Sequence, residues 1–193
     1  MASLLRPAVT LFVFFSIAAG VVYPALVTGI ANLAFPVQAR GSLVERDGQA
    51  VGSELIGQSF STARYFWSRP SATTPMPNNG QSSGGSNLGP LNPALIDAVK
   101  GRIEALGVGS TSATTPVPID LVTTSASGLD PDISPEAALF QIERIAHERG
   151  LPIEKVKALV TSHTRGPQWG IFGEPRVNVL DLNLALDALA SKP

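Results

Sequence analysis

The residues able to carry chemistry in this chain are few and far apart. Its two histidines, His147 and His163, both fall on stretches with helical apolar spacing, and neither belongs to a metal motif such as His-Glu-x-x-His. They read as solvent-facing or hydrogen-bonded side chains near helix ends. Asp130 and Asp132 stand two apart, but a calcium loop needs further oxygens at set positions, so they read as turn-forming carboxylates. Gly84-Gly85-Ser86-Asn87-Leu88-Gly89 invites comparison with a phosphate-cradling loop, and an enzyme built on it would depend on Ser86 or Asn87. No Gly-Lys-Ser/Thr follows that loop and no strand clearly precedes it. Serines abound without a Gly-x-Ser-x-Gly or Ser-x-x-Lys context, and there are no cysteines, which excludes disulfides, thiol catalysis and zinc–thiolate sites. No nucleophile, base and orienting acid can be assembled, so no catalytic residue and no metal ligand is assigned.

What organises the chain is physical rather than chemical. From Pro7 to Ala39 there is no charged residue, and the core of that run extends from Ala8 to about Phe35. At ~1.5 Å per residue, ~20 apolar residues cross a ~30 Å hydrocarbon layer, and this run exceeds that. Inside lipid a single spanning segment must be helical, because its backbone groups find no water. Pro24, with Gly20 and Gly29 flanking it, predicts a kink or a close contact with another helix, and Pro24, Ala25 and Gly29 are the candidate helix-docking residues. Asn32 adds a polar handle. A cleaved signal peptide is the competing reading, since Val37-Gln38-Ala39 is a small-x-small site, but the apolar run outlasts the usual ~7–15 residues of such segments. The expected division is therefore a short segment 1–7, a membrane helix 8–35 and one domain 36–193.

A chain of 193 residues, less its helix, holds about one ordinary domain. The formal net charge of −1 and the lack of a basic block exclude a nucleic-acid partner. Basic residues before and after the span nearly balance, so charge alone does not orient it. Val51 to Phe60 reads as a short strand or turn, and Thr73 to Pro90 as a Gly/Pro/Asn/Ser loop. Asn92-Pro93 opens a helix that Gly107 stops; Thr111 to Pro118 is loop, and Ile119 to Thr124 has the β-branched content of a strand. Ser134-Pro135-Glu136 starts a helix with Ala138, Leu139, Ile142, Ile145 and Ala146 as its apolar stripe and Gly150 as its end. Pro152 starts another, Thr164 to Gly173 is loop, and Asn178 caps a last helix that buries Leu182, Leu186 and Leu189. The fold class is thus a single N-terminal transmembrane α-helix followed by one α+β soluble domain with long Gly/Pro/Ser-rich loops. Tyr65-Phe66-Trp67, between Arg64 and Arg69, contributes rings to the core or anchors an interface, with Tyr65, Trp67, Arg69 and Asn87 as the candidate interface set.

Taken in order, several of these stretches resemble one family over nearly the whole chain. They are Tyr23 to Gly29, Gly52 to Phe60, Tyr65 to Ala72, Gly85 to Pro90, Asp120 to Val122, Gly128 to Ala137, His163-Thr164 and Gly173 to Leu180. Together they are similar to the C subunit of the bacterial high-affinity potassium-transporting ATPase, the KdpC family. Two positions depart from the family pattern: Pro152, where a capping serine is usual, and Asp132, where a histidine is common.

The resemblance implies a non-catalytic accessory subunit of a P-type ATPase complex in the bacterial inner membrane. Its partners would be a channel-like potassium-translocating subunit, a P-type ATPase subunit and membrane lipid. The chain would have no cofactor of its own; ATP enters through the partner subunit, and potassium is the transported ion. The family's role as a catalytic chaperone that raises ATP affinity is implied in the same way, as is a domain outside the cytoplasm. A membrane-tethered periplasmic binding or sensing module is the alternative from another class.

Overall fold

The structure, a computed structural model, describes residues 2–107 and 116–190. The expected loop from Thr111 lies outside them as far as residue 115. Two compact units are present, one ending at Val51 and the other beginning at Gly52.

The first unit is dominated by a continuous helical rod. Helix α1 (Ala2–Ile17) passes through a π-turn (Ala18–Val22) into α2 (Tyr23–Ala34), and the stretch Leu4–Ala34 is long and apolar enough to cross a membrane. A short α3 (Pro36–Ala39) follows, then β1 (Leu43–Arg46) and β2 (Gln49–Ser53), which pair as a two-stranded sheet. Their turn places Asp47 and Gly48 at φ 53° and 75°, the geometry that matches the twist of a tight hairpin.

In the second unit a long irregular segment precedes α4 (Pro93–Ala105), where Asn92 accepts a hydrogen bond from the Ala94 N–H as expected of a cap. Ile119 to Val122 is a single helical turn, α5, rather than a strand. Its β-branched residues are overridden by tertiary context: Leu121 and Val122 are buried, and the Val122 carbonyl accepts from Arg102 Nη1 on α4. After β3 (Asp132–Ile133), Ser134 caps α6 (Pro135–Phe140) by accepting from the Ala137 N–H. The helix expected to run on to Gly150 breaks at Gln141 and resumes as α7 (Ile142–Arg149). Gly150 does end it, at φ 64°, with the Leu151 N–H reaching back to the Ala146 carbonyl. Leu139, assigned to the apolar stripe, faces out instead.

Helix α8 (Ile153–His163), strands β4 (Thr164–Arg165) and β5 (Arg176–Asn178), and α9 (Val179–Ala190) complete the unit. The sheet order is β3-β5-β4, antiparallel throughout, with Ile133 and Thr164 both opposite Val177. Asn178 caps α9 through the Asp181 N–H, and Leu182 and Leu186 are fully buried while Leu189 is only partly so. Around them Phe66, Ile133, Ala137, Ile145, Val156, Val160 and Val177 form one core.

Phe66 reaches that core from a segment with no regular structure, so its backbone must find partners elsewhere. Two buried amides supply them. Asn183 on α9 accepts from the Phe66 N–H at 2.9 Å and donates to the Phe66 carbonyl at 3.0 Å. Gln141, at the helix break, does the same for Trp67 at 2.7 and 3.1 Å. At the sheet edge, burial and then the neighbouring Asp130 push the Asp132 carboxyl above its ordinary value, while Arg176, at 3.1 Å, pulls it back.

Replacing Asn183→Leu keeps the branching and the number of heavy atoms but strands one N–H and one C=O in the core. Denaturant unfolding in detergent should show a loss of about 2–4 kcal/mol, and an unchanged midpoint would contradict the clasp. Asp132 gives a pH signature of defined sign. A carboxyl with a raised folded pKa contributes stability that is present at low pH and lost as pH rises through that value. The stability of the natural chain relative to Asp132→Asn should therefore improve between pH 7 and about pH 4, read by the same unfolding assay.

Candidate functional site

The amide clasp sets Tyr65 and Trp67 on the surface beside Phe66, and each ring is covered by an arginine. The Arg144 guanidinium lies 4.4 Å from the Trp67 ring centroid and donates to the Ala63 and Tyr65 carbonyls and to Gln141 Oε1. Burial pushes Arg144 down to about 10, still well above neutrality, so the group is a cation held chiefly by neutral acceptors and a π face. Arg149 sits 4.7 Å from the Tyr65 ring, donates to the Arg64 carbonyl and pairs with Asp187 at 2.8 Å. The Tyr65 hydroxyl donates to the other oxygen of Asp187 at 3.1 Å. The indole N–H of Trp67 donates to Thr62 O.

Arg69 continues the segment and pairs with Asp130 at 3.1 Å. Asp130 also accepts from the Asp132 N–H, so it is a turn-forming carboxylate, and Asp132 in turn pairs with Arg176. The Thr124 to Asp130 stretch is thus held by Arg69 on one side. On the other it meets the Gly-rich loop: the Gly84 N–H and the Ser83 hydroxyl both donate to Ser127 O, and the Ser86 and Thr124 hydroxyls are 3.1 Å apart. The first N–H of that loop is therefore spent inside the domain. Asn87, next to Ser86, is exposed at φ 50°.

Ser71 and Thr73 organise the remaining turn. The Ser71 hydroxyl donates to Gly128 O and accepts from the Asn78 N–H, and Thr73 Oγ1 donates to Met76 O and accepts from the Asn79 N–H. A Cβ on Gly128 would lie 2.6 Å from Gly84 O, and its φ of 68° disfavours any other residue. The site is a surface of loops held by many side-chain to backbone hydrogen bonds. Away from it, His147 is exposed and His163 Nδ1 lies 2.9 Å from Leu159 O. Among the described residues no cluster of three or more His, Cys, Asp or Glu could hold a metal ion.

Of the candidate residues, the structure brings Tyr65, Trp67 and Arg69 into one bonded strip, with Asn87 on the separate Gly-rich loop. Gln141, Asn183, Arg144 and Arg149, which hold that strip, were not singled out by the sequence. Their only sequence signal is polarity at apolar-spaced helix positions, which does not separate a core amide from a solvated one.

The helix candidates lie in the other unit. In the π-turn the Tyr23 N–H bonds to Ala18 O, and the next residue, Pro24, has no N–H to give. The Ala19 carbonyl is left without a helical donor in either register. Ala25 and Gly29 follow at the four-residue spacing that lets helices approach closely. A Cβ on Gly29 would meet nothing within 4 Å, whereas Asn32 turns back to donate to Thr28 O.

A family model described as KdpC, K+-transporting ATPase, c chain, matches residues 5–188. The chain is 62% identical over 190 residues to a potassium-transporting ATPase KdpC subunit of Dechloromonas aromatica, covering 98% of this chain and 100% of that one. It is 61% identical to the namesake of Variovorax paradoxus, covering 99% of both chains. It is 58% identical to that of Polynucleobacter asymbioticus, covering 97% of this chain and 99% of the other. With an N-terminal helix fit for a membrane and end-to-end similarity of this depth, the chain belongs to the KdpC family, the c chain of K+-transporting ATPases.

Proposed function

We propose that this chain is the non-catalytic accessory subunit of an ATP-driven, high-affinity potassium uptake complex in a bacterial inner membrane. The observation that carries the reading is the family match across residues 5–188, which spans both the helix and the domain. The helix holds the chain in the bilayer as a single pass, with the domain outside the cytoplasm. Its partners are a channel-like subunit that carries potassium and a P-type ATPase subunit that hydrolyses ATP.

The helix is the docking element. A carbonyl with no helical donor is costly in lipid, and a neighbouring helix in a complex can satisfy it. The chain acts as a catalytic chaperone that raises the ATP affinity of the hydrolysing subunit. With the domain on the far side of the membrane from ATP, this effect is a coupling free energy between sites, transmitted through the docked helix. The tethered binding-module alternative would require a ligand pocket and activity without partners.

A mild-detergent pull-down of the tagged chain should recover both partner subunits in fixed proportion, and recovery of the chain alone would overturn the reading. Ala25→Leu and Gly29→Leu should reduce that recovery about tenfold, a change of ~1.4 kcal/mol. At Gly29 an added Cβ meets nothing within 4 Å in the isolated chain, so a loss there reports on the partner. Nucleotide titration of the ATPase subunit with and without this chain should show tighter ATP binding when it is present; equal affinity would remove the chaperone role while leaving the subunit role standing.

A further inference from the structure

Strands β4 and β5 pair Arg165 with Arg176 and are joined by residues 166–175. The tip of this connection is closed on itself. The Gln168 N–H donates to Phe172 O at 2.7 Å and the Phe172 N–H returns to Gln168 O at 3.0 Å, while the Gly170 N–H reaches Pro167 O. That small cage holds Trp169 at φ 55°, a left-handed conformation that bulky residues rarely adopt. The result turns three large apolar side chains outward: Trp169 is 81% exposed, Ile171 79% and Phe172 61%. Trp169 and Phe172 stack edge to face at 6.0 Å, so the projection has a defined outline.

Charge is absent from the tip, and both arginines at its base are paired. No charged residue lies between Arg165 and Glu174. Arg165 is bound to Asp181 at 2.6 Å and Arg176 to Asp132 at 3.1 Å. Loops that bind anionic lipid pair apolar side chains with available cations, and here both arginines at the hairpin mouth are committed to carboxylates. A neutral, shaped, aromatic projection is instead the composition of an interface core, where charge is depleted and tryptophan enriched.

We propose that the Gln168–Phe172 tip is a protein-docking anchor that seats in an apolar pocket on another subunit of the same complex, with an acceptor there for the Trp169 indole N–H. This rests on the accessory-subunit reading. The test places a photo-activatable p-benzoylphenylalanine at position 169 or 171 in the full chain, irradiates the detergent-purified complex and identifies the adduct by mass spectrometry. A covalent adduct with another protein subunit is the expected result. A phospholipid adduct, or no intermolecular adduct from an intact complex, overturns the proposal. In parallel, a combined Trp169→Ser, Ile171→Ser, Phe172→Ser chain should lose about tenfold in partner recovery with its unfolding midpoint retained. Recovery equal to the natural chain would sink the anchor while leaving the subunit reading intact, whereas failure of the natural chain to recover partners would sink both.

Discussion

The soluble domain depends on one exchange of hydrogen bonds, in which Asn183 and Gln141 take the place of neighbouring strands for the backbone of Phe66 and Trp67. A buried irregular segment is otherwise expensive, because each N–H and C=O removed from water needs a partner. Meeting that need with side-chain amides lets Phe66 fill the core without a sheet to carry it. It also explains the helix break: Gln141, at the junction of α6 and α7, faces the segment while still donating to Ala137 O. The arginines then cover the two flanking rings, so a stretch that looks like a loop is as tightly bound as a strand.

The helical rod meets the opposite constraint. There, every backbone group should be satisfied within the helix, and Pro24 prevents it. With the Tyr23 N–H given to Ala18 O and none on Pro24, the Ala19 carbonyl has no donor in the α or the π register, and Gly20 beside it has no side chain to shield it. One unit of the chain has thus satisfied an irregular backbone internally, and the other keeps an opening in a regular one. The accessory-subunit reading uses both properties, a stable surface and an incomplete helix.

Much of this was legible in the residues. The apolar run, the caps at Asn92, Ser134 and Asn178 and the glycine stop at Gly150 act locally, so their spacing alone declares them. The strand expected at Ile119 failed because burial of Leu121 and Val122 against the core, not β-propensity, decides that turn. The amide clasp was invisible for a related reason: whether a glutamine on a helix faces water or another segment's backbone is set by tertiary placement. Tyr65 and Trp67 stand out in the sequence as aromatics, yet the arginines over them come from residues about eighty positions away.

The span of that clasp has a further consequence for biosynthesis. Phe66 and Asn183 are 117 residues apart, so the closing contact joins an early part of the chain to its final helix. Contacts of such long sequence separation are slow to form, and a chain made from its N-terminus forward has no means of closing this one until α9 has left the ribosome. The membrane helix, by contrast, is complete within its first few dozen residues. The chain is therefore held at the bilayer before its domain has a native core, and the domain folds as a tethered unit rather than a free one.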